Sequence, residues 1–503
     1  MEIKRVLCAG AVWSCAIAGL LGAGRDDAQL IEAVKAGNLA AARSLVRNAP
    51  VNAREVDGTT ALHWAVRSDN LELVRLLLKA GADVRLANRY GVLPLTLAAT
   101  NGDAAMVEAL LAAGADPNTA LPEGETVVMT AARTGKVGAL QVLLGRGAAV
   151  NAHEQSLEET ALMWAAAENH GDAVRVLAEA GADLNARSRL LHLEHKKFAT
   201  EAMITTNFAR GGWTALMYAA REGAVEGARA LAEAGADVNL TDPDGTTALV
   251  FAIINGHFDV AALLLDKGAD PNVADSTGMA ALYAAVDMHT LDTVLSLPPQ
   301  RITGPIEAVD LAKLLLAHGA DPNARLKSPV LQRHHNLGDV ALGEGTTPLM
   351  RAARASDADI VRLLLDAGAD PMLRQQNHTT ALMFASGLGR TTLFEVDRPW
   401  SEEKAIETVR LCLDHGAEID AFNDEGQTAL HGAAALGANS IISYLAARGA
   451  RLTIRDKVGR TPLDLALAGS KGEDGRPHVR EDTVALLRLV ASERRGAEAH
   501  RSN

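Results

Sequence analysis

A single leucine recurs along the chain at nearly regular intervals. Its positions, one of which holds valine, are Leu62, Leu95, Val128, Leu162, Leu216, Leu249, Leu282, Leu349, Leu382, Leu430 and Leu463. A period near 33 is typical of helix-pair solenoids, in which each unit buries its apolar face only by stacking on its neighbours. The period therefore favours one stacked array over the three or four separate domains that the length alone would allow.

A glycine fixes the register within each unit, and in most units it follows the leucine at the interval that separates Leu62 from Gly81. These glycines are Gly81, Gly114, Gly147, Gly181, Gly235, Gly268, Gly319, Gly368, Gly416 and Gly449. The interval from Leu62 to Leu78 contains two apolar faces at helical spacing, which predicts two short helices. Glycine then ends the second helix, because the left-handed C-cap conformation costs it no steric penalty. Each unit is predicted to be turn, helix, turn, helix.

These units resemble ankyrin repeats, whose pattern is D-x-x-G-x-T-P-L-H-x-A-A followed by L-L-x-x-G-A-D-x-N. The matching segments are D-G-T-T-A-L-H-W-A-V at Asp57 to Val66, G-T-T-P-L-M-R-A-A-R at Gly345 to Arg354, and D-E-G-Q-T-A-L-H-G-A-A at Asp424 to Ala434. The resemblance implies an all-α repeat solenoid of about twelve helix-turn-helix units with β-hairpin fingers. It also implies a non-enzymatic scaffold for protein–protein interaction that needs no cofactor.

Irregular spacings predict four insertions into the repeats. They lie near residues 187–212, 295–307, 325–343 and 390–404. The first and third lengthen hairpin fingers, whereas the second and fourth lengthen the turn between paired helices. Both finger insertions are basic, +3 and +2, in a chain whose net charge is -13. Loops on a rigid scaffold often carry binding, and the alternative is that these are solvated hairpin tips.

Arginine and aromatic side chains recur at two positions of the first helix. Two positions after the marker leucine stand Trp64, Trp164, Tyr218, Phe251 and Phe384, and five positions after it stand Arg67, Arg133, Arg221 and Arg354. In ankyrin repeats the second of these positions faces the concave groove, and both residue types are enriched at binding hot spots. We predict partner contacts at Arg67, Arg133, Tyr218, Arg221, Arg351, Arg354 and, in the fingers, Lys196, Lys197 and Arg333. The alternative is that the aromatic rings pack between helices and the arginines cover them.

The predicted partner is a protein or peptide of acidic character, because the groove and fingers are basic. Nucleic acid is excluded as the main partner, because phosphate-backbone binding depends on an excess of cationic side chains. A competing hypothesis is an enzyme or metal site between the fingers, formed by His192, Glu194, His195, His334 and His335. The spacing does not supply three or four convergent ligands, and the common nucleotide-binding and hydrolase motifs are absent from the sequence. The third hypothesis is a structural protein that associates with itself. We expect instead that the protein is a monomer.

The segment 1–24 has the pattern of a bacterial-type secretory signal. Lys4 and Arg5 precede an uncharged stretch rich in Ala, Gly and Leu, and charged residues follow from Arg25. The expected organisation is a signal peptide at 1–24, a solenoid at 25–490 and a disordered tail at 491–503. The mature protein would then be periplasmic or secreted, without a membrane span. A retained membrane anchor is the alternative, because the stretch approaches the ~20 residues that a span requires.

Overall fold

The computed structural model describes residues 25–191, 211–290, 301–328, 341–390, 401–471 and 477–501. Within these ranges the chain forms 24 helices that follow one another as twelve pairs, and we call the first helix of a pair inner and the second outer. The inner helices are α1 (Arg25–Lys35), α3 (Ala61–Arg67), α5 (Pro94–Asn101), α7 (Val127–Arg133), α9 (Ala161–Ala167), α11 (Ala215–Glu222), α13 (Ala248–Ile254), α15 (Ala281–Thr290), α17 (Pro348–Arg354), α19 (Ala381–Ala385), α21 (Ala429–Leu436) and α23 (Pro462–Ala468). The outer helices are α2 (Leu39–Leu45), α4 (Leu71–Lys79), α6 (Ala104–Ala112), α8 (Val137–Gly145), α10 (Gly171–Glu179), α12 (Val225–Ala234), α14 (Phe258–Asp266), α16 (Ala308–Ala317), α18 (Ala358–Asp366), α20 (Glu402–Asp414), α22 (Asn439–Ala447) and α24 (Glu481–Arg501). Strands β1 (Ser470–Lys471) and β2 (Pro477–His478) form a short antiparallel pair.

The helices belong to two compact units. The first unit ends at Leu121 and contains α1 to α6, and the second begins at Pro122 and contains α7 to α24. Within each unit inner helices pack on inner helices, as α3 does on α1 and α5, and outer helices pack on outer helices, as α10 does on α12. The predicted all-α repeat solenoid is confirmed, whereas the division after Leu121 was not predicted.

Nine of the twelve inner helices begin at a threonine whose backbone is extended, and in five of these the side chain three positions later completes the cap. The ring of His63 accepts the backbone N–H of Thr60 on Nδ1 at 3.2 Å and donates from Nε2 to the carbonyl of Val92 at 3.1 Å. Methionine replaces this histidine in other repeats. There the Met129 sulfur accepts the N–H of Thr126 at 3.4 Å, and a thioether is a weaker acceptor than an imidazole. Histidine therefore also ties its helix start to the next repeat, which methionine does not.

The marker glycine ends the outer helix as the spacing predicts. Gly81 has φ +88°, and its N–H donates to the carbonyl of Leu78 at 3.0 Å. The N–H of Ala82 then donates to the carbonyl of Leu77 at 3.0 Å. This pair of hydrogen bonds satisfies carbonyl groups that the end of a helix otherwise leaves without a donor.

Asparagine side chains in the turns of five repeats connect the repeat to the next, and these bonds persist across an insertion. Asn272 donates from Nδ2 to the carbonyl of Gly319 at 2.9 Å and accepts the N–H of Asp321 at 2.7 Å. The predicted insertion at 295–307 lies between these partners in the sequence. The same pair of bonds joins Asn52 to Gly81 and Asp83, where no insertion intervenes.

The two finger insertions leave the scaffold from paired backbone segments. The N–H of Ser188 donates to the carbonyl of Trp213 at 3.0 Å, and the N–H of Gly212 donates back to Ser188 at 3.2 Å. In the other finger the N–H of Leu326 donates to the carbonyl of Thr346 at 2.9 Å. Elsewhere in the described residues, isolated bridges join the hairpin segments of other repeats at Arg54–Thr60, His153–Thr160, Thr241–Thr247 and Arg374–Thr380.

The expectation of a disordered tail at 491–503 is corrected by the last helix, which continues to Arg501. Leu487 is buried on the preceding repeat. One terminal nitrogen of Arg494 donates to the carbonyl of Ala450 at 2.6 Å, and the other donates to the carbonyl of Ala446 in α22. These contacts give the segment a partner surface that its polar sequence does not reveal.

Candidate interaction surface on the inner helices

In the first unit, two cations share the indole ring of Trp64. The Lys35 ammonium lies 4.8 Å and the Arg67 guanidinium 5.3 Å from the ring centroid. The indole N–H donates to one oxygen of Glu55 at 2.7 Å, and Lys35 donates to the other at 2.6 Å. This bond to Glu55 raises the pKa of Lys35 above its ordinary value. Arg67 is exposed, and the described residues provide no ion-pair partner for its guanidinium.

In the second unit, Arg133 at the end of α7 covers the ring of Trp164 on α9. Its guanidinium carbon lies 5.0 Å from the ring centroid, and a terminal nitrogen lies 2.9 Å from an oxygen of Glu125. The indole N–H of Trp164 donates to Glu159 at 2.7 Å. Arg133 is exposed, as predicted for a groove residue, but its charge is already balanced within the chain.

Glu159 links this pair to the following inner helix. Its second oxygen accepts the hydroxyl of Tyr218, on α11, at 2.6 Å. Burial, and then the hydrogen bond to Glu159, raises the pKa of Tyr218 well above its ordinary value. Tyr218 therefore remains a neutral donor, and its ring is half-buried as part of the surface.

Trp213 extends the surface, and it was not among the predicted contact residues. Its ring meets Tyr218 edge to face, with centroids 5.5 Å apart, and meets Phe251 in the same way at 5.3 Å. The guanidinium carbon of Arg221 lies 4.9 Å from the Trp213 centroid, and a terminal nitrogen lies 2.5 Å from Glu222. Trp213 directly precedes the threonine that begins α11. It therefore lies before the marker leucine Leu216, and a pattern of residues that follow that leucine cannot include it.

Arg351 and Arg354 are placed differently from the prediction, because both are buried, at 5% and 8% exposure. Arg351 donates to Asp287 at 2.6 Å and to the carbonyl of Thr290 at 3.1 Å. Arg354 donates to the carbonyl of Leu388 at 3.3 Å. Buried guanidinium groups require such acceptors, so these two arginines secure the ends of neighbouring inner helices and are removed from the contact set.

The predicted finger residues Lys196, Lys197 and Arg333 lie outside the described residues. So do the histidines of the competing metal hypothesis, at 192, 195, 334 and 335. At the stem of the first finger, Arg187 donates to the carbonyls of Gly212 and Thr241, both at 2.8 Å. This arginine therefore serves the scaffold and is not free for a partner.

Neither a cluster of metal-ligating side chains nor a helix able to span a membrane is found in the part of the chain that the structure describes. That part contains no group of three or more His, Cys, Asp or Glu side chains suited to hold a metal ion. None of its helices combines the length and the apolar composition needed to cross a lipid bilayer.

Comparison with known families agrees with this geometry. The family described as "Ankyrin repeats (3 copies)" matches residues 30–120, 95–188, 234–301, 307–396 and 401–475, and the single "Ankyrin repeat" matches residues 211–243. The chain belongs to the ankyrin repeat family. This membership confirms the resemblance that the leucine and glycine spacings indicated.

Several curated proteins are similar to parts of this ankyrin repeat chain. Notch-regulated ankyrin repeat-containing protein A of Danio rerio is 50% identical over 76 residues, which are 14% of this chain and 68% of that protein. The Homo sapiens protein of the same description is 49% identical over 76 residues, 14% of this chain and 67% of that protein. Diacylglycerol kinase zeta of Rattus norvegicus is 35% identical over 131 residues, but these are only 12% of that protein. The repeats and these relatives support a protein–protein interaction scaffold.

Proposed function

We propose that this scaffold holds a partner protein or peptide against the inner helices of its second unit. The contact surface consists of Arg133, Trp164, Trp213, Tyr218 and Arg221. The observation that carries the proposal is their unbroken network of ring, guanidinium and carboxylate contacts. The three rings are half-buried, so they keep exposed area while their positions are fixed by neighbours. Rigid aromatic side chains beside arginine are the groups that dominate binding energy in protein interfaces.

We propose that the partner is acidic or contains an acidic extended segment. Support comes from Arg67, which has no ion-pair partner among the described residues, and from the +3 and +2 charges of the finger insertions. Lys196, Lys197 and Arg333 are the finger cations assigned to this role. Arg133 contributes less charge than its sequence position suggests, because Glu125 pairs with it.

The protein is proposed to act as a monomeric, non-enzymatic adaptor that does not bind nucleic acid. Its net charge of -13 favours solubility and disfavours self-association. We further propose that residues 1–24 direct it to the bacterial periplasm or to secretion, with a membrane anchor as the alternative. The support is the basic start and the apolar stretch alone, since the relatives reported above are animal proteins.

Affinity capture with matched charge reversals tests the proposal. The test variant carries Arg133→Glu and Arg221→Glu on the inner helices. The control carries Arg175→Glu and Arg229→Glu on outer helices, where each arginine lies 3.5 Å from a carboxylate one turn earlier. Quantitative mass spectrometry should show partners retained by the wild type and the control and lost by the test variant. Recovery of the same partners on all three proteins would refute the assigned surface.

A further inference from the structure

In the second unit, two arginines lie over aromatic rings, and each of them pairs with a carboxylate of the chain. Arg133 covers Trp164 and pairs with Glu125 at 2.9 Å. Arg221 covers Trp213 and pairs with Glu222 at 2.5 Å. In both places a terminal nitrogen of the guanidinium group lies beside a carboxylate oxygen, and the guanidinium carbon lies over an aromatic ring. The combination is favourable because guanidinium groups both stack on rings and bind carboxylates with parallel hydrogen bonds.

The first unit contains the same arrangement without the carboxylate. Arg67 covers Trp64, is exposed, and has no ion-pair partner among the described residues of the unit. The neighbouring carboxylate of Glu55 is already engaged, because one oxygen accepts the Trp64 N–H and the other accepts Lys35. The donors of Arg67 therefore point to no acceptor within the described chain.

A second cation, Lys35, lies against the same indole ring as Arg67. The Lys35 ammonium lies 4.8 Å from the centroid of the same Trp64 ring. Its hydrogen bonds to Glu32 and Glu55, at 3.0 and 2.6 Å, hold it beside the ring. The charge of Lys35 is balanced by these two carboxylates, so its role is to keep Glu55 engaged beside Trp64 and to leave Arg67 for a carboxylate of the partner.

We propose that Arg67, with Trp64 and Lys35, forms a site for a carboxylate group of the partner. The proposal rests on the proposed scaffold function and specifies part of its recognition. Arg67 supplies the hydrogen bonds, Trp64 supports the guanidinium, and Lys35 engages the Glu55 oxygen that could otherwise pair with Arg67. The carboxylate can belong to an aspartate or glutamate side chain, or to the C-terminus of a partner, and the two sources are distinguished by experiment.

Two random peptide libraries displayed on phage, selected on the full chain, provide the probes. One library is fused through its C-terminus and offers only side-chain carboxylates, and the other has a free C-terminus. We expect one library to yield peptides that share an acidic residue, or a free C-terminus, at a fixed position. Affinity for Arg67→Ala should be about ten-fold to a hundred-fold weaker, as expected for hydrogen bonds to a charged group. Arg67→Lys should restore only part of it, and Lys35→Met should cause a smaller loss.

The exposed Arg75 on α4 of the same unit provides the matched control, and Arg75→Ala should leave the affinity within about two-fold. Far-UV circular dichroism and urea midpoints verify that each variant is folded. Selected peptides that bind Arg67→Ala as tightly as wild type, but not the Arg133→Glu/Arg221→Glu variant, would overturn the carboxylate site and leave the scaffold function standing. Failure of both libraries to yield any binder would count against the scaffold function and the site together.

Discussion

Replacement of Gly227 by alanine tests how the repeats on either side of the first finger insertion are packed. A Cβ at Gly227, in α12, would lie 2.6 Å from the carbonyl oxygen of Ala166 in α9. The N–H of Gly227 donates to the side chain of Asn169 at 3.0 Å. The insertion predicted at 187–212 lies between these partners in the sequence. Because the obstructing atom belongs to the backbone, it cannot rotate aside as a flexible side chain can.

The expected loss combines two opposing effects. Overpacking of a well-packed core costs about 1–3 kcal/mol, and alanine in place of glycine inside a helix returns up to about 1 kcal/mol. Subtracting about 1 kcal/mol of propensity gain from the overpacking cost, we expect Gly227→Ala to lower the free energy of unfolding by up to about 2 kcal/mol. Gly145→Ala in α8 is the matched control, because nothing lies within 4 Å of a Cβ built there. It should leave stability unchanged or raise it by up to about 1 kcal/mol.

Urea unfolding followed by far-UV circular dichroism measures both variants. Subtracting the free energy of unfolding of Gly227→Ala from that of Gly145→Ala cancels most of the helix-propensity effect. The remaining difference is the overpacking cost of about 1–3 kcal/mol. Equal midpoints for the two variants would show that the fifth and sixth repeats are not in close contact. The close packing of α12 on α9 across the insertion at 187–212 would then be refuted.

Buried groups provide three further predictions. Arg351→Met removes the guanidinium that pairs with Asp287, so the free energy of unfolding should fall by about 1.5–3 kcal/mol, and an unchanged urea midpoint would contradict this role. Burial lowers the pKa of His63 and His431, so the stability they contribute is complete above the unfolded value of about 6.5 and is lost as the pH falls through their folded pKa. Melting temperatures at pH 7.5 and 5.0 should therefore fall more in the wild type than in the double His→Gln variant, whereas parallel declines would count against the prediction. Burial raises the pKa of the Cys412 thiol to about 12, so in a chain with the other two cysteines replaced by alanine, Ellman's reagent should detect a thiol only after unfolding, and rapid reaction in native buffer would disprove its burial.

The repeat architecture could be predicted because it depends on local chemistry that every unit repeats. The segment from Leu62 to Gly81 contains an apolar face for each helix and the glycine that ends the second. The threonine cap and the turn glycine act close to their own positions in the chain, so their effects can be inferred from a single unit. The division after Leu121 could not be predicted, since the leucine period passes from Leu95 to Val128 without a change.

The candidate site was predicted only in part, because exposure depends on neighbours that the repeat period does not specify. Arg133 and Arg354 occupy equivalent positions, but Arg133 is exposed and Arg354 lies under the carbonyl groups that follow α19. Arg67 and Arg221 also occupy equivalent positions, but Arg221 has a neighbouring carboxylate, Glu222, with which it forms an ion pair. Trp213 is in the surface because residues from two adjacent inner helices surround it, which a pattern within one helix cannot indicate.

Site-specific photo-crosslinking tests most directly whether partners bind to the inner helices. A benzophenone amino acid at position 167 would stand on the inner helix α9, at the position equivalent to Arg133. The same group at position 175 would stand on the exposed outer helix α10 of the same repeat. Irradiation with a selected peptide or a captured partner should give a crosslink from position 167 and little from position 175. A crosslink from position 175 with none from position 167 would contradict the proposed binding surface.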